Sequence, residues 1–145
     1  MYLIDAVVVC CLLLIIADHP VKACSCPKRS DADRFCRTKE LVKLTVLEET
    51  EPSGAYYKYK VRIDRVFKST KGLTAHTDVD FQTPRVSALC TRHLSTGEEY
   101  LLNVYYQNGV LSTNACSWMK EWENAESYVT ILENGDIQSI CPETR

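Results

Sequence analysis

The clearest alternation of apolar and polar residues runs from Tyr56 to Phe67. One face of this stretch carries Tyr57, Tyr59, Val61 and Ile63, and the other carries Lys58, Lys60, Arg62 and Asp64. A period of two is the pattern of a strand that buries one face and exposes the other. Further apolar runs with β-branched or aromatic residues predict four more strands, at 41–47, 78–82, 99–106 and 110–114.

Turn and helix signals fall between these strands. The turn-forming residues at 48–54 and the dipeptide Asn108-Gly109 predict tight connections, and Asn134-Gly135 predicts a last hairpin. Acidic residues near the start of 31–40 predict a short helix, and the composition of 117–128 predicts another. Five short strands with flanking helices indicate a mainly β fold, in the form of a small closed barrel.

The apolar run near the start of the chain has the length of a signal-peptide core. Residues 6–16 carry no charge, but a membrane-spanning helix needs ~20 apolar residues. Val21 and Ala23 stand third and first before Cys24, which predicts cleavage after Ala23. We therefore expect a signal peptide at 1–23 and one secreted domain at 24–145. The opening MYLID has no Lys or Arg, which leaves a buried N-terminal element or a membrane anchor as the alternatives.

Six cysteines remain after the leader is removed: Cys24, Cys26, Cys36, Cys90, Cys116 and Cys141. This even number predicts three disulfides in a secreted chain, but six cysteines allow fifteen pairings and spacing does not choose among them. The economical arrangement ties the three N-terminal cysteines to the three distant ones. The sequence has no Cys-x-x-Cys pair, which argues against a structural zinc site and a thiol redox site.

Charge and composition narrow the functional classes. Removal of Lys22, Asp5 and Asp18 with the leader changes the formal net charge from −2 to −1, which favours neither nucleic acid nor a membrane surface as a partner. The five glycines are not clustered, so there is no phosphate-binding loop. Cys90 and His93 have no third group to orient them as nucleophile and base, and we expect no enzyme.

Several short motifs carry a resemblance to a known family. They are CSC at 24–26, Phe35-Cys36, TPRVSALC at 83–90, GEEYLL at 97–102 and the pair Cys116 and Trp122. In this order they resemble the N-terminal domain of the tissue inhibitors of metalloproteinases. The resemblance implies an OB-type, netrin-like barrel with the disulfides Cys24–Cys90, Cys26–Cys116 and Cys36–Cys141. It also implies an extracellular monomer with no cofactor of its own, whose partners are zinc metalloproteinases and, further, the extracellular matrix.

The resemblance also implies a mechanism that starts at Cys24. The free amine and the carbonyl oxygen of Cys24 would chelate the catalytic zinc of the protease, and Ser25 would enter the pocket beside the zinc. Cys26 and Pro27 would continue the contact. The Cys24–Cys90 bridge would place Ser87, Ala88 and Leu89 beside this segment, and Arg37 matches a family position at the edge of the contact.

A different class of function stays open. The netrin-like fold also occurs in extracellular modules that bind matrix, glycosaminoglycan or other proteins without inhibiting a protease. Three departures from the family bear on this choice. Residues 27–33 are more charged than is usual, the segment after Trp122 differs, and we expect the chain to lack the family's second, six-cysteine domain.

Overall fold

The computed structural model describes residues 24–107 and 109–141, so the predicted leader and its cleavage site lie outside the described residues. Seven strands are present in these two ranges: β1 (Leu41–Ser53), β2 (Tyr56–Lys68), β3 (Thr77–Pro84), β4 (Glu99–Asn103), β5 (Tyr105–Gln107), β6 (Val110–Ser112) and β7 (Met119–Glu121). Two α-helices within the same ranges flank them, α1 (Asp31–Cys36) and α2 (Glu126–Asn134). Short 3-10 turns occur at Ser87–Leu89, Trp122–Asn124 and Ile137–Ser139.

The strands form one curled sheet in the order β5-β6-β3-β2-β1-β4-β7. The neighbours are antiparallel except β3 and β6, which run parallel. The long β1–β2 ribbon has several register shifts, between Leu41 and Val42 and again beyond Val46. Such bulges increase the twist and bend of a strand, which lets the sheet curl on itself. The predicted mainly β fold is confirmed, and the curled sheet with flanking helices is consistent with an OB-type barrel.

The two faces of the sheet bury different sets of side chains. Val42, Leu44 and Val46 of β1 point into the curl, where they meet a core that includes Tyr59, Val61, Ile63, Phe81 and Leu102. Leu41 and Leu101 point the other way, against Phe35, Trp118 and Ala125 beneath the helices. The alternation of β2 is confirmed, because Tyr59, Val61 and Ile63 are buried while Arg62 is exposed. The sheet therefore packs against a second core that the helices help to cover.

Several predicted boundaries are wrong because strand pairing overrides local signals. Residues 48–53 are not a turn: they extend β1, where Glu48, Glu49 and Thr50 pair with Lys60, Tyr59 and Lys58. The turn itself is at Gly54, whose φ of 59° lies in the left-handed region that glycine tolerates. The strand predicted at 99–106 is broken at Val104 into β4 and β5. Gln107 pairs with Val110, so the strands on either side of the predicted turn are adjacent, while Asn108 itself lies outside the described residues.

The helix predictions are also only partly right. Helix α1 ends at Cys36 rather than at residue 40, because the Thr38 hydroxyl and backbone N–H both bond to the carbonyl oxygen of Phe35. The first part of 117–128 is strand β7, which pairs with β4, and helix α2 begins only at Glu126. Asn134-Gly135 forms no hairpin: it ends α2, and Gly135 caps the helix with a φ of 71°. None of the helices in the described ranges is long and apolar enough to cross a membrane.

Candidate functional site

The N-terminal segment is covalently attached to the barrel at two closely spaced points. Cys24 is joined to Cys90 and Cys26 to Cys116, with Cα–Cα distances of 5.1 and 5.2 Å. A third disulfide joins Cys36 at the end of α1 to Cys141. These are the three pairs that the family resemblance implied. Ser25 lies between the first two attachment points and is exposed, so its side chain is held outward on a short, doubly anchored segment.

The two N-terminal disulfides lie against each other. The Sγ atoms of Cys24, Cys26, Cys90 and Cys116 all lie within 4.8 Å of one another. Sulfur atoms that are joined in disulfides are not thiolates, and the thiolate is the form that binds a metal. The cluster is therefore no metal site, and it acts as a covalent clamp on residues 24–26.

The segment that receives Cys24 is itself shaped by local hydrogen bonds. Ser87–Leu89 form a 3-10 turn that ends at Cys90, whose φ of 61° and ψ of 69° lie in the left-handed region. The Cys90 N–H donates to the Ser87 carbonyl oxygen, and the Cys90 carbonyl oxygen accepts from the Ala115 N–H. A non-glycine residue in this region costs roughly 1–3 kcal/mol and persists where surrounding bonds over-determine it. Here the disulfide and both hydrogen bonds hold it.

Exposed apolar side chains flank the clamp. Val86 and Leu89 are 42% and 41% exposed, and they are two of the three large hydrophobic residues with such exposure among the described residues. Ser87 and Ala88 are also exposed, as is Pro27 on the N-terminal segment. The structure thus brings Cys24, Ser25, Cys26 and Pro27 together with 87–90 on one surface. An exposed apolar rim beside an anchored segment is a surface suited to a protein partner.

The tip of the β1–β2 hairpin also reaches this surface, which sequence reasoning missed. The Arg85 N–H donates to the Ala55 carbonyl oxygen at 2.8 Å, and Tyr56 pairs with Pro84. The tip therefore lies beside the start of the 85–90 segment. The only sequence signal was the long alternation of β2, which begins directly after Gly54. If β1 is expected to pair with β2 along the full length of β2, the hairpin turn falls at Gly54 rather than at residue 48.

Arg37 is exposed and directly follows helix α1. Its Nε atom donates to Asp33 Oδ1 at 3.0 Å, and Asp33 Oδ2 lies 3.5 Å from Arg29 Nε. Arg29, Arg34 and Arg37 line one pocket together with Pro27 and Cys116. No sequence pattern groups the three arginines, because α1 has only six residues and sets no helical repeat across 29–37.

Helix α1 is joined to α2 by a partly buried polar contact. The Tyr128 hydroxyl donates to Asp31 Oδ2 at 2.6 Å, and Lys120 Nζ lies 3.0 Å from the same oxygen. Burial opposes ionisation of Asp31, but the hydrogen bonds from Tyr128 and Lys120 outweigh it and lower the pKa of Asp31. Burial and the bond to Asp31 raise the pKa of Tyr128 to about 12. The contact fixes the base on which the N-terminal segment rests.

The sequence was compared with protein families. Residues 22–133 match the family model described as tissue inhibitor of metalloproteinase. The match covers more than three quarters of the chain and includes both disulfides of the clamp. Of the paired cysteines, only Cys141 lies beyond the matched range.

Proposed function

Since the chain belongs to the tissue inhibitor of metalloproteinase family, and its general role is therefore that of a metalloproteinase inhibitor, we propose that Cys24 inhibits its target by chelating the catalytic zinc. In this proposal the protein is secreted, cleavage after Ala23 leaves Cys24 as the first residue, and the protein acts as a monomer. The zinc belongs to the protease, and the inhibitor brings no cofactor of its own.

The double attachment of residues 24–26 is the observation that carries this proposal. Two disulfides, one from Cys24 and one from Cys26, hold the segment against the barrel. A segment that is already ordered loses little conformational entropy on binding, so more of the contact energy appears as affinity. A free terminus without these bridges would have to be ordered when it enters the cleft.

The chemistry follows from what only a first residue can offer. A catalytic zinc has three protein ligands and one position held by water. An α-amino group has a pKa of ~7.7–8, so at neutral pH a useful fraction is already a neutral lone-pair donor. Zinc binding deprotonates the remainder at modest cost. The amine nitrogen and the carbonyl oxygen of Cys24 close a five-membered ring with the metal and displace the water that the protease needs.

The neighbouring residues would shape the contact around the zinc. Exposed Ser25 would enter the protease pocket beside the metal, and its small hydroxyl suits inhibition of several related proteases. Pro27 would extend the contact along the cleft. Ser87, Ala88 and Leu89 would cover the other side, where Leu89 and Val86 offer apolar surface to bury. Arg37 would lie at the edge.

A single added alanine in front of Cys24 tests the proposal. It turns the amine into an amide, which coordinates zinc poorly and adds bulk, while no core residue changes. We expect inhibition of a matrix-type zinc protease to weaken by at least ~10²-fold, which corresponds to ~2.7 kcal/mol of lost affinity. The matched control carries the same alanine after Arg145. Equal inhibition by the N-terminally extended protein would reject chelation and favour a non-inhibitory netrin-like binding module.

A further inference from the structure

We infer that a pocket lined by three arginines beside the N-terminal segment binds a carboxylate side chain of the target protease. The pocket has a volume of about 240 Å³, and its lining includes Arg29, Arg34 and Arg37 on one side and Asn103, Asn114 and Cys116 on the other. The inference about this arginine pocket rests on the proposed function, because Pro27, which would lie in the protease cleft, also lines the pocket.

The positive charges at the arginine pocket exceed the carboxylates that neutralise them. Asp33 is shared between Arg29 and Arg37, at 3.5 and 3.0 Å. Asp31 is shared between Arg34 at 3.8 Å and Lys120 at 3.0 Å. Each carboxylate therefore serves two cations, and an excess of positive charge remains at the pocket.

Arg34 has capacity for a further acceptor. Its only carboxylate contact among the described residues, to Asp31, is long at 3.8 Å, and its side chain is 31% exposed. Burial, and next the positive charge of Arg34, lower the pKa of Arg92, so a second guanidinium lies close enough to add to the local potential. A carboxylate in the pocket would give the Arg34 guanidinium a charge-assisted partner. Guanidinium groups match the planar, two-oxygen geometry of a carboxylate.

The size and position of the pocket favour a protein carboxylate over a sulfated polysaccharide. A polysaccharide chain is usually bound along an extended basic stripe. Along β2 the positive charge is interrupted, because Lys60 is paired with Asp80 at 2.7 Å and Arg62 with Asp78 at 3.0 Å. The arginine pocket is small and shares Pro27 and Cys116 with the clamped segment. A protein that covers exposed Pro27 would bring its own side chains to the pocket.

The first test is the double variant Arg29→Gln/Arg37→Gln, with Arg62→Gln as the matched control. All three arginines are exposed and ion-paired, so the folding cost of each change should be small and similar. Inhibition constants are measured against a panel of metalloproteinases at low and high NaCl. We expect the double variant to inhibit roughly 10-fold more weakly at low salt, with the gap narrowing at high salt, and the control to match wild type. Wild-type inhibition by the double variant at both salt concentrations overturns the inference.

The second test uses the isolated protein and separates this inference from the proposed function. Sodium acetate is titrated at constant ionic strength while the side-chain Nε–Hε NMR signals of the arginines are followed. Saturable shifts at Arg29, Arg34 and Arg37 but not at Arg62 support a carboxylate pocket, and their absence overturns it. Shifts with a heparin fragment but not with acetate would assign the pocket to sulfate and overturn a protease carboxylate. If the wild-type protein inhibits no protease, both the proposed function and a protease as the partner of the pocket are rejected. The acetate titration still shows whether the pocket binds a carboxylate.

Discussion

The Sγ atoms of Cys90 and Cys116 lie 3.4 Å apart, although the two cysteines belong to different disulfides. Their partners Cys24 and Cys26 are therefore held at what is almost a single point of the barrel. This contact links a loop after β3 to a loop after β6 and fixes both the position and the direction of the N-terminal segment.

Removal of the Cys26–Cys116 bridge should lower both stability and inhibition. We expect Cys26→Ser/Cys116→Ser to lose ~2–4 kcal/mol of unfolding free energy, because a long loop is no longer closed in the unfolded state. Inhibition should weaken as well, since residues 24–26 lose one of their two anchors. Urea unfolding and inhibition constants measure the two effects.

The Cys36–Cys141 bridge is the control for that prediction. It closes a loop of similar length, with a sequence separation of 105 against 90, but it does not hold residues 24–26. Cys36→Ser/Cys141→Ser should therefore lose similar stability and keep its inhibition at temperatures where it is folded. Equal loss of inhibition in both double variants would show that the clamp has no special role.

Leu89→Ser should weaken inhibition with little effect on folding. Leu89 is 41% exposed, so its truncation removes little buried surface and should change stability by less than about 0.5 kcal/mol. If the protease covers it, the loss should be roughly tenfold in the inhibition constant. Tyr106→Ser is the matched control, because Tyr106 is similarly exposed, at 48%, on strand β5. Unchanged inhibition by Leu89→Ser would place the protease contact elsewhere.

The Tyr128–Asp31 contact should give stability an alkaline dependence. The pKa of Tyr128 is raised to about 12 in the folded protein, above the ordinary value of about 10, so the folded state retains a proton that the unfolded state releases. The stability from this contact is fully present below about pH 10 and is lost as pH rises toward 12.

The variant that tests this dependence is Tyr128→Phe. It should cost about 0.5–1 kcal/mol at neutral pH, because the Asp31 carboxylate loses a hydrogen bond that solvent partly screens, its side chain being 38% exposed. It should also lose less stability than wild type between about pH 10 and pH 12, as measured by denaturant unfolding. Parallel curves for the two proteins would show that Tyr128 does not titrate in this window.

The mature N-terminus should be Cys24. This prediction is based on Val21 and Ala23, which precede Cys24 and follow an uncharged apolar run. The intact mass of the secreted protein reports it directly, and the same sample without reduction reports whether all six cysteines are oxidised. A mass that retains Val21 or Lys22 would exclude chelation by a free Cys24 amine, whatever the fold.

Local patterns in the sequence were enough for the elements whose burial repeats along the chain. The alternation from Tyr57 to Ile63 predicted β2 because a half-buried strand shows its two faces within a few residues. The Asn108-Gly109 pair predicted the β5–β6 connection for a similar reason, since a tight turn is determined by its own residues. The cysteine count predicted three disulfides, and the resemblance of short motifs supplied their pairing and the residues of the candidate site.

Only the tertiary structure decided the features that depend on residues far apart in the chain. Strand β1 continues through Glu48–Thr50 because these residues pair with β2. Strand β7 forms at Met119–Glu121 because these residues pair with the edge of β4. The arginine pocket joins Arg29 and Arg37 to Asn103 and Cys116. No local propensity encodes such contacts, since their free energy comes from pairing and burial between segments that meet only when the sheet curls.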